Sequence, residues 1–208
     1  ASMKYGLLTL AGVLLTVFCY MGYMRQSAET VFAVFPLLAV GITPILGNYV
    51  DHKGKAASML MIGSMLLVLC HLTFAFVLPE FRDNAVGGVV IAYLTILVLG
   101  ASFSLVPASL WPSVPKLVDA KIIGSAYALI FWVQNWGLML VPLLIGWVLN
   151  SFCKGPVVDG IQTYDYTLPM SIFAVFGVLA LIVALMLKAE DKKKGYGCLL
   201  YTSDAADE

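Results

Sequence analysis

The sequence predicts an all-α membrane protein of six transmembrane helices. Three observations predict it. Apolar residues make up 61% of the 208-residue chain and charged residues 12%, with a mean hydropathy of +0.95, far from the balance of soluble domains. Six apolar runs reach the roughly 20 residues that a helix needs to cross the hydrocarbon core, at about 5–23, 30–50, 58–78, 88–110, 125–149 and 169–187. The connectors carry nearly all the charge, and several tryptophans and tyrosines stand near the ends of the runs, as in interfacial belts. A soluble bundle of buried helices is the alternative, but apolar runs this long have no place in one.

The basic residues orient the runs. Lys4, Lys53, Lys55, Lys116, Lys121, Lys188, Lys192, Lys193 and Lys194 fall on one side, and Arg25, Arg82 and Lys154 on the other. The positive-inside rule puts the lysine-rich side, and with it both ends of the chain, in the cytoplasm. An even number of spans requires the same result. The chain enters its first run almost at once and shows no cleavable signal peptide, which reads as a truncated product. At the other end, the run from Cys198 to Glu208 back-translates to a stretch resembling a transposon-end adapter used in building sequencing libraries. On that reading residues 1–197 form the six-helix bundle and residues 198–208 are a non-native tail; a natural acidic tail is the alternative. Removing Asp204, Asp207 and Glu208 from twelve acids leaves nine against twelve bases, a net charge of +3.

The first two runs are plain spanning segments. The third carries Cys70 and His71. Neither these nor Cys19 and Cys153 show a Cys-x-x-Cys or Cys/His ligand spacing, so zinc and thiol chemistry have no support. Cys19 and Cys70 read as small buried hydrophobes. His71 lies inside a span, where a packed structural histidine competes with a proton relay and is the favoured reading. The fourth run is interrupted by Pro107, Pro112 and Pro115 and by Ser102, Ser104, Ser109 and Ser113. Each proline removes a backbone donor, and broken backbone at membrane depth survives only inside protein or along a cavity. This run is therefore expected to face the bundle interior, with Trp111 held out of regular helix between two proline breaks.

The fifth run carries Tyr127, Phe131, Gln134 and Leu138 at helical spacing on one face, with Asn135 beside them. A Gln-Asn pair near mid-span is costly in hydrocarbon unless paired or wetted. Glue between packed helices and cavity lining are both open. The connector around Asp159, Tyr164, Asp165 and Tyr166 reads as a solvated outer loop, with a gating role as the alternative. The sixth run ends in the lysine cluster.

No Asp, Glu, Lys or Arg lies deep in any run. Ion coupling usually needs such a residue, so these spans offer no coupling carboxylate. No paired carboxylates, nucleophile–base set or metal-binding motif appears, which argues against an enzyme. No catalytic residue, cofactor, metal or nucleic-acid partner is expected.

Between the second and third runs the chain reads Gly47-Asn48-Tyr49-Val50-Asp51-His52-Lys53-Gly54-Lys55. This is similar to the cytoplasmic loop signature of the major facilitator superfamily, with His52 standing where a fixed cation is usual; a short basic turn between helices is the plainer reading. In that signature Gly47 lets helices approach closely, Asp51 caps or salt-bridges a neighbouring helix end, Gly54 permits a tight turn and Lys55 anchors the loop. Together these four are candidates for a conformational latch. The stretches Ser109-Leu110-Trp111-Pro112, Gly124-Ser125-Ala126-Tyr127-Ala128 and Gln134-Asn135-Trp136-Gly137-Leu138 resemble the tenth and eleventh helices of the lysosomal dipeptide uniporter family and its bacterial relatives.

The resemblance implies the C-terminal six-helix half of a twelve-helix transporter in a bacterial inner membrane. Its partners would be the bilayer, a missing N-terminal half and a small-molecule substrate such as a dipeptide. By this analogy the first and fourth runs line the cavity, the second and fifth face the other half, and the third and sixth are peripheral. Trp111, Gln134, Asn135 and Tyr127 become candidate substrate contacts, with Trp111 and Gln134 expected in one polar concavity. An interfacial anchor is the alternative for Trp111. A non-transporting membrane sensor or scaffold is the other function class.

Overall fold

The computed structural model describes residues 28–53, 56–81 and 83–194. The first predicted run, Cys19, Gly54, Lys55 and the adapter-like tail lie outside them. Helix α1 spans Ala28–Lys53. Helix α2 spans Ala56–Leu72 and continues through a π turn, Thr73–Val77, and a 3-10 turn, Leu78–Phe81. Helix α3 covers Ala85–Leu117, α4 Ile123–Phe152 and α5 Thr167–Lys194. Four stretches are long and apolar enough to cross a membrane: Ala56–Phe81, Val86–Pro115, Ala120–Phe152 and Thr167–Glu190. They match the third to sixth predicted runs, each extended by several residues. Within α1 the apolar residues Leu38–Tyr49 are described, bounded on each side by residues whose side chains lie outside the description.

Helix α3 is the axis of the assembly. It packs along α1 and along α2, α2 packs in turn along α5, and α4 touches α3 and α5 only lightly. Leu38 of α1 meets Tyr93 and Ile96 of α3 in a small core flanked by Phe35, Ile42 and Phe74. The other seams are closed by small residues and hydroxyls, as expected where lipid gives no hydrophobic drive to associate. A side chain at Gly63 would put its Cβ 3.2 Å from Leu105 Cβ and from the Ser102 carbonyl oxygen. The Ser102 hydroxyl donates to the Gly63 carbonyl at 2.7 Å across the same seam. Further along, the Cys70 thiol donates to the Thr95 carbonyl at 3.6 Å. Between α2 and α5, Gly177 lies against Val68, and His71 faces Phe173 with ring centroids 5.4 Å apart.

The prolines do not break α3. One helix runs through Pro107, Pro112 and Pro115, and Trp111 sits in regular helix, contrary to the sequence expectation. The reason is the solvent. A proline in water loses to coil because water bonds the freed carbonyl, but lipid offers no such competitor, so the remaining helical bonds keep the chain helical. Each proline still vacates the carbonyl four residues earlier, here those of Phe103, Ala108 and Trp111. The expected interior placement holds: Ser102, Ser104, Ser109 and Ser113 are all buried, and Val86–Pro115 is the most buried of the four spans. Ser104 and Ser113 donate to the carbonyls one turn back, Gly100 at 2.8 Å and Ser109 at 2.6 Å.

The connector between α4 and α5 is a β-hairpin rather than an irregular loop, so the fold is not purely helical. Strands β1, Lys154–Val158, and β2, Ile161–Tyr164, pair antiparallel with Val158 opposite Ile161. Asp159 and Gly160 supply the two positive φ angles, 52° and 78°, that a two-residue turn of the primed type requires. The Asp165 amide donates to the Cys153 carbonyl at 2.8 Å and closes the base.

Candidate functional site

The face of α4 marked by the sequence divides into two environments. Near the start of α4, Tyr127 and Phe131 pack on Trp111 of α3. Trp111 stacks on Phe131 at 5.0 Å between centroids and 27° between planes, and on Tyr127 at 5.8 Å and 36°. The Tyr127 hydroxyl donates to the Trp111 carbonyl at 3.1 Å. That carbonyl is the one Pro115 cannot serve, having no N–H to give it. The three rings thus close the seam between the C-terminal end of α3 and the N-terminal end of α4.

Further along α4, Gln134 lines a groove of about 800 Å³ between α4 and α5. Leu138, Val141, Ile145, Phe173 and Phe176 form most of its walls, and Gln134 is the polar side chain among its lining residues. The groove is apolar rather than the polar concavity expected, and Trp111 does not reach it. Asn135 donates to the Phe131 carbonyl of its own helix at 2.8 Å. That bond answers the amide's donor without a partner helix, a reading between glue and cavity lining that the sequence did not suggest. From Phe131 to Leu140 every residue of α4 is exposed. This ten-residue stretch therefore stays largely uncovered among the described residues, apart from the Phe131–Trp111 stack and the edge of the groove facing Phe173 and Phe176.

The loop signature is partly visible. Helices α1 and α2 are separated by Gly54 and Lys55 alone, both outside the described residues. Asp51 lies in the last turn of α1, and its side chain also falls outside the description, as does that of Lys116. A Cβ at Gly47 would meet no atom within 4 Å. The close helix approach expected there is found instead at Gly63, Gly100 and Gly177, whose Cβ positions lie within 3.2 Å of a facing helix.

His71 behaves as a packed residue. Its Nδ1 lies 2.7 Å from the Leu67 carbonyl, which can only accept, so that nitrogen carries the proton. Its ring fills the seam against Phe173. The device that sequence reasoning missed is the pairing of Tyr127 with the Trp111 carbonyl. Its signal was present, since a proline four residues after Trp111 announces a carbonyl without a helical donor.

The chain is similar to the lysosomal dipeptide transporter MFSD1 of several vertebrates. It is 25% identical to the Homo sapiens protein over 130 residues, which is 62% of this chain and 26% of that one. Against the Bos taurus protein it is 26% identical over 130 residues, covering 62% and 25% of the two chains. The Danio rerio protein is 26% identical over 129 residues, again 62% of this chain and 26% of the relative. The chain thus spans about a quarter of the length of the curated relatives it matches. No protein-family model and no solved structure matches it. These relatives are named as transporters, which are not enzymes, in agreement with the non-enzymatic reading of the sequence. With four helices among the described residues long and apolar enough to cross a membrane, the protein is an integral membrane protein.

Proposed function

We propose that this chain belongs to the C-terminal six-helix half of a major facilitator superfamily transporter that moves small solutes, dipeptides among them, by alternating access. The observation that carries the reading is the shared sequence with the dipeptide transporter MFSD1 over some 130 residues. The length of those relatives supports a partner half elsewhere in the protein. The exposed stretch of α4 supports it too, because a largely uncovered helix is the surface such a half would cover. Trp111, Tyr127, Gln134 and Asn135 are the substrate-facing candidates of this half. The aromatic trio would wall one end of the path, and the two amides would serve peptide groups. Gly47, Asp51, Gly54 and Lys55 form the conformational latch, too near the cytoplasmic surface to touch a midplane ligand. We place the protein in a bacterial inner membrane with both ends of this chain cytoplasmic, an orientation supported by the lysine asymmetry.

The test is uptake by liposomes holding the full-length protein, presented with a panel of dipeptides and single amino acids. Saturable uptake of dipeptides, competed by other dipeptides, is the expected result. A folded, correctly inserted protein that moves none of the panel would favour the sensor or scaffold class instead. Asp51→Asn is expected to change transport rate and the inward–outward balance. Weaker substrate binding with unchanged rates would count against its role as a latch.

A further inference from the structure

We propose that Pro115 and Tyr127 form a two-part latch between α3 and α4, in which a proline on one helix vacates a backbone acceptor that a hydroxyl on the next helix reversibly fills. In an uninterrupted helix the Trp111 carbonyl accepts from the amide of residue 115. Proline at 115 has no such amide, and its ring pushes that carbonyl outward. That carbonyl is then open to a donor from α4, and the Tyr127 hydroxyl donates to it at 3.1 Å. An orphaned acceptor at membrane depth is costly, so the bond is favoured. It joins two separate helices, so it can also be released when they part. The same tyrosine ring packs on Trp111, as does Phe131 one turn further along α4. Release therefore loosens the packing on the indole at the moment it frees the carbonyl.

The placement gives the bond leverage. Among the described residues α4 touches its neighbours lightly and is exposed beyond Phe131, so the seam at Tyr127 is a main tie between α4 and α3. Tyr127 lies in its second turn, just after the short connector from α3 through Ala120–Ile122. A bond there fixes how the whole of α4 leaves that connector. As a gate the latch rests on the transporter reading above; as a bond it does not.

The experiment is hydrogen exchange on the full-length protein, comparing Tyr127→Phe and Pro115→Ala singly and together. Losing one neutral hydrogen bond is expected to speed exchange of the amides of Ser113, Val114, Lys116 and Leu117 about fivefold in Tyr127→Phe. Pro115→Ala restores an amide to the Trp111 carbonyl, so the hydroxyl becomes redundant. Adding Tyr127→Phe to that variant should then change exchange little. Equal acceleration in both backgrounds, or none in either, overturns the latch, as does acceleration spread evenly over the α2–α5 seam. If exchange behaves as expected while uptake kinetics are untouched, the bond stands and its gating role falls. If the wild type carries no solute, the transporter reading falls and exchange still decides the bond.

Discussion

Gly177 offers the sharpest test of how the helices are held together. A Cβ there would lie 2.8 Å from Val68 Cγ2, with Val68 N at 3.4 Å and Val68 Cα at 3.6 Å behind it. Carbon atoms prefer about 3.5–4.0 Å, so Gly177→Ala intrudes by roughly 0.7 Å or more. Valine cannot easily turn away, because its branched side chain has one strongly preferred rotamer in a helix. Either the valine strains or α2 and α5 separate. Overpacking of this kind costs about 1–3 kcal/mol, against a helix-propensity gain of roughly 1 kcal/mol on replacing glycine. The net expectation is a loss of about 0–2 kcal/mol, taken from the difference of those two ranges.

Reversible unfolding of the full-length protein in mixed micelles would measure that loss. The Val68→Ala, Gly177→Ala double variant removes the offending methyl group and should recover about 1 kcal/mol relative to the sum of the single changes, within the range seen for residues in contact. Additivity within about 0.3–0.5 kcal/mol would show that the two residues do not meet, and the described α2–α5 seam would be wrong. The contrast is Gly124, where a Cβ meets open space. Gly124→Ala should leave stability unchanged or slightly raised.

Three further outcomes follow from single contacts. Ser102→Ala removes the donor to the Gly63 carbonyl and should cost about 0.6 kcal/mol, at most about 1.7, in the same unfolding assay; no loss would mean the α2–α3 seam is held by shape alone. His71→Phe keeps a ring against Phe173 and should preserve uptake and its pH profile, whereas loss of the pH dependence would make His71 a proton relay after all. Gly160→Val places a branched side chain at φ 78°, a conformation that costs an L-residue about 1–2 kcal/mol. Exchange in residues 154–164 should rise with the helices unaffected; an unchanged hairpin would argue against the primed turn.

Much of the fold was legible because lipid imposes one strong rule: a spanning backbone must satisfy itself. Length and apolarity therefore located the third to sixth runs, and the placement of α3 inside the assembly followed from its serines and prolines. The same rule was applied too literally to those prolines. Pro107, Pro112 and Pro115 vacate acceptors without stopping the helix, because nothing in hydrocarbon takes the coil's side. The hairpin was missed although Val158-Asp159-Gly160-Ile161 carries the Asp-Gly turn signal; its mixed charge and aromatics were read as a solvated loop. The candidate site was legible only as a helical stripe. Spacing put Tyr127, Phe131 and Gln134 on one face, but a stripe does not say which helix each residue meets. Trp111 joined the first two of these, while Gln134 opened on α5. Gly47 illustrates a further limit, since the sequence shows a small residue but not whether another helix comes near it.

The distribution of indoles has an optical consequence. Trp132, Trp136 and Trp147 all lie on α4, each exposed, and Trp132 and Trp136 form an edge-to-face pair at 6.0 Å. The fourth tryptophan of the chain, Trp111, stacks on Phe131 of the same helix. The intrinsic emission of this chain is therefore a signal from one helix and what touches it. Quenchers carried on lipid tails would dim the three exposed indoles wherever α4 meets acyl chains. They would spare those that another protein surface covers. A change of emission colour on adding a solute would likewise report α4 and its contact with Trp111, with no dye attached.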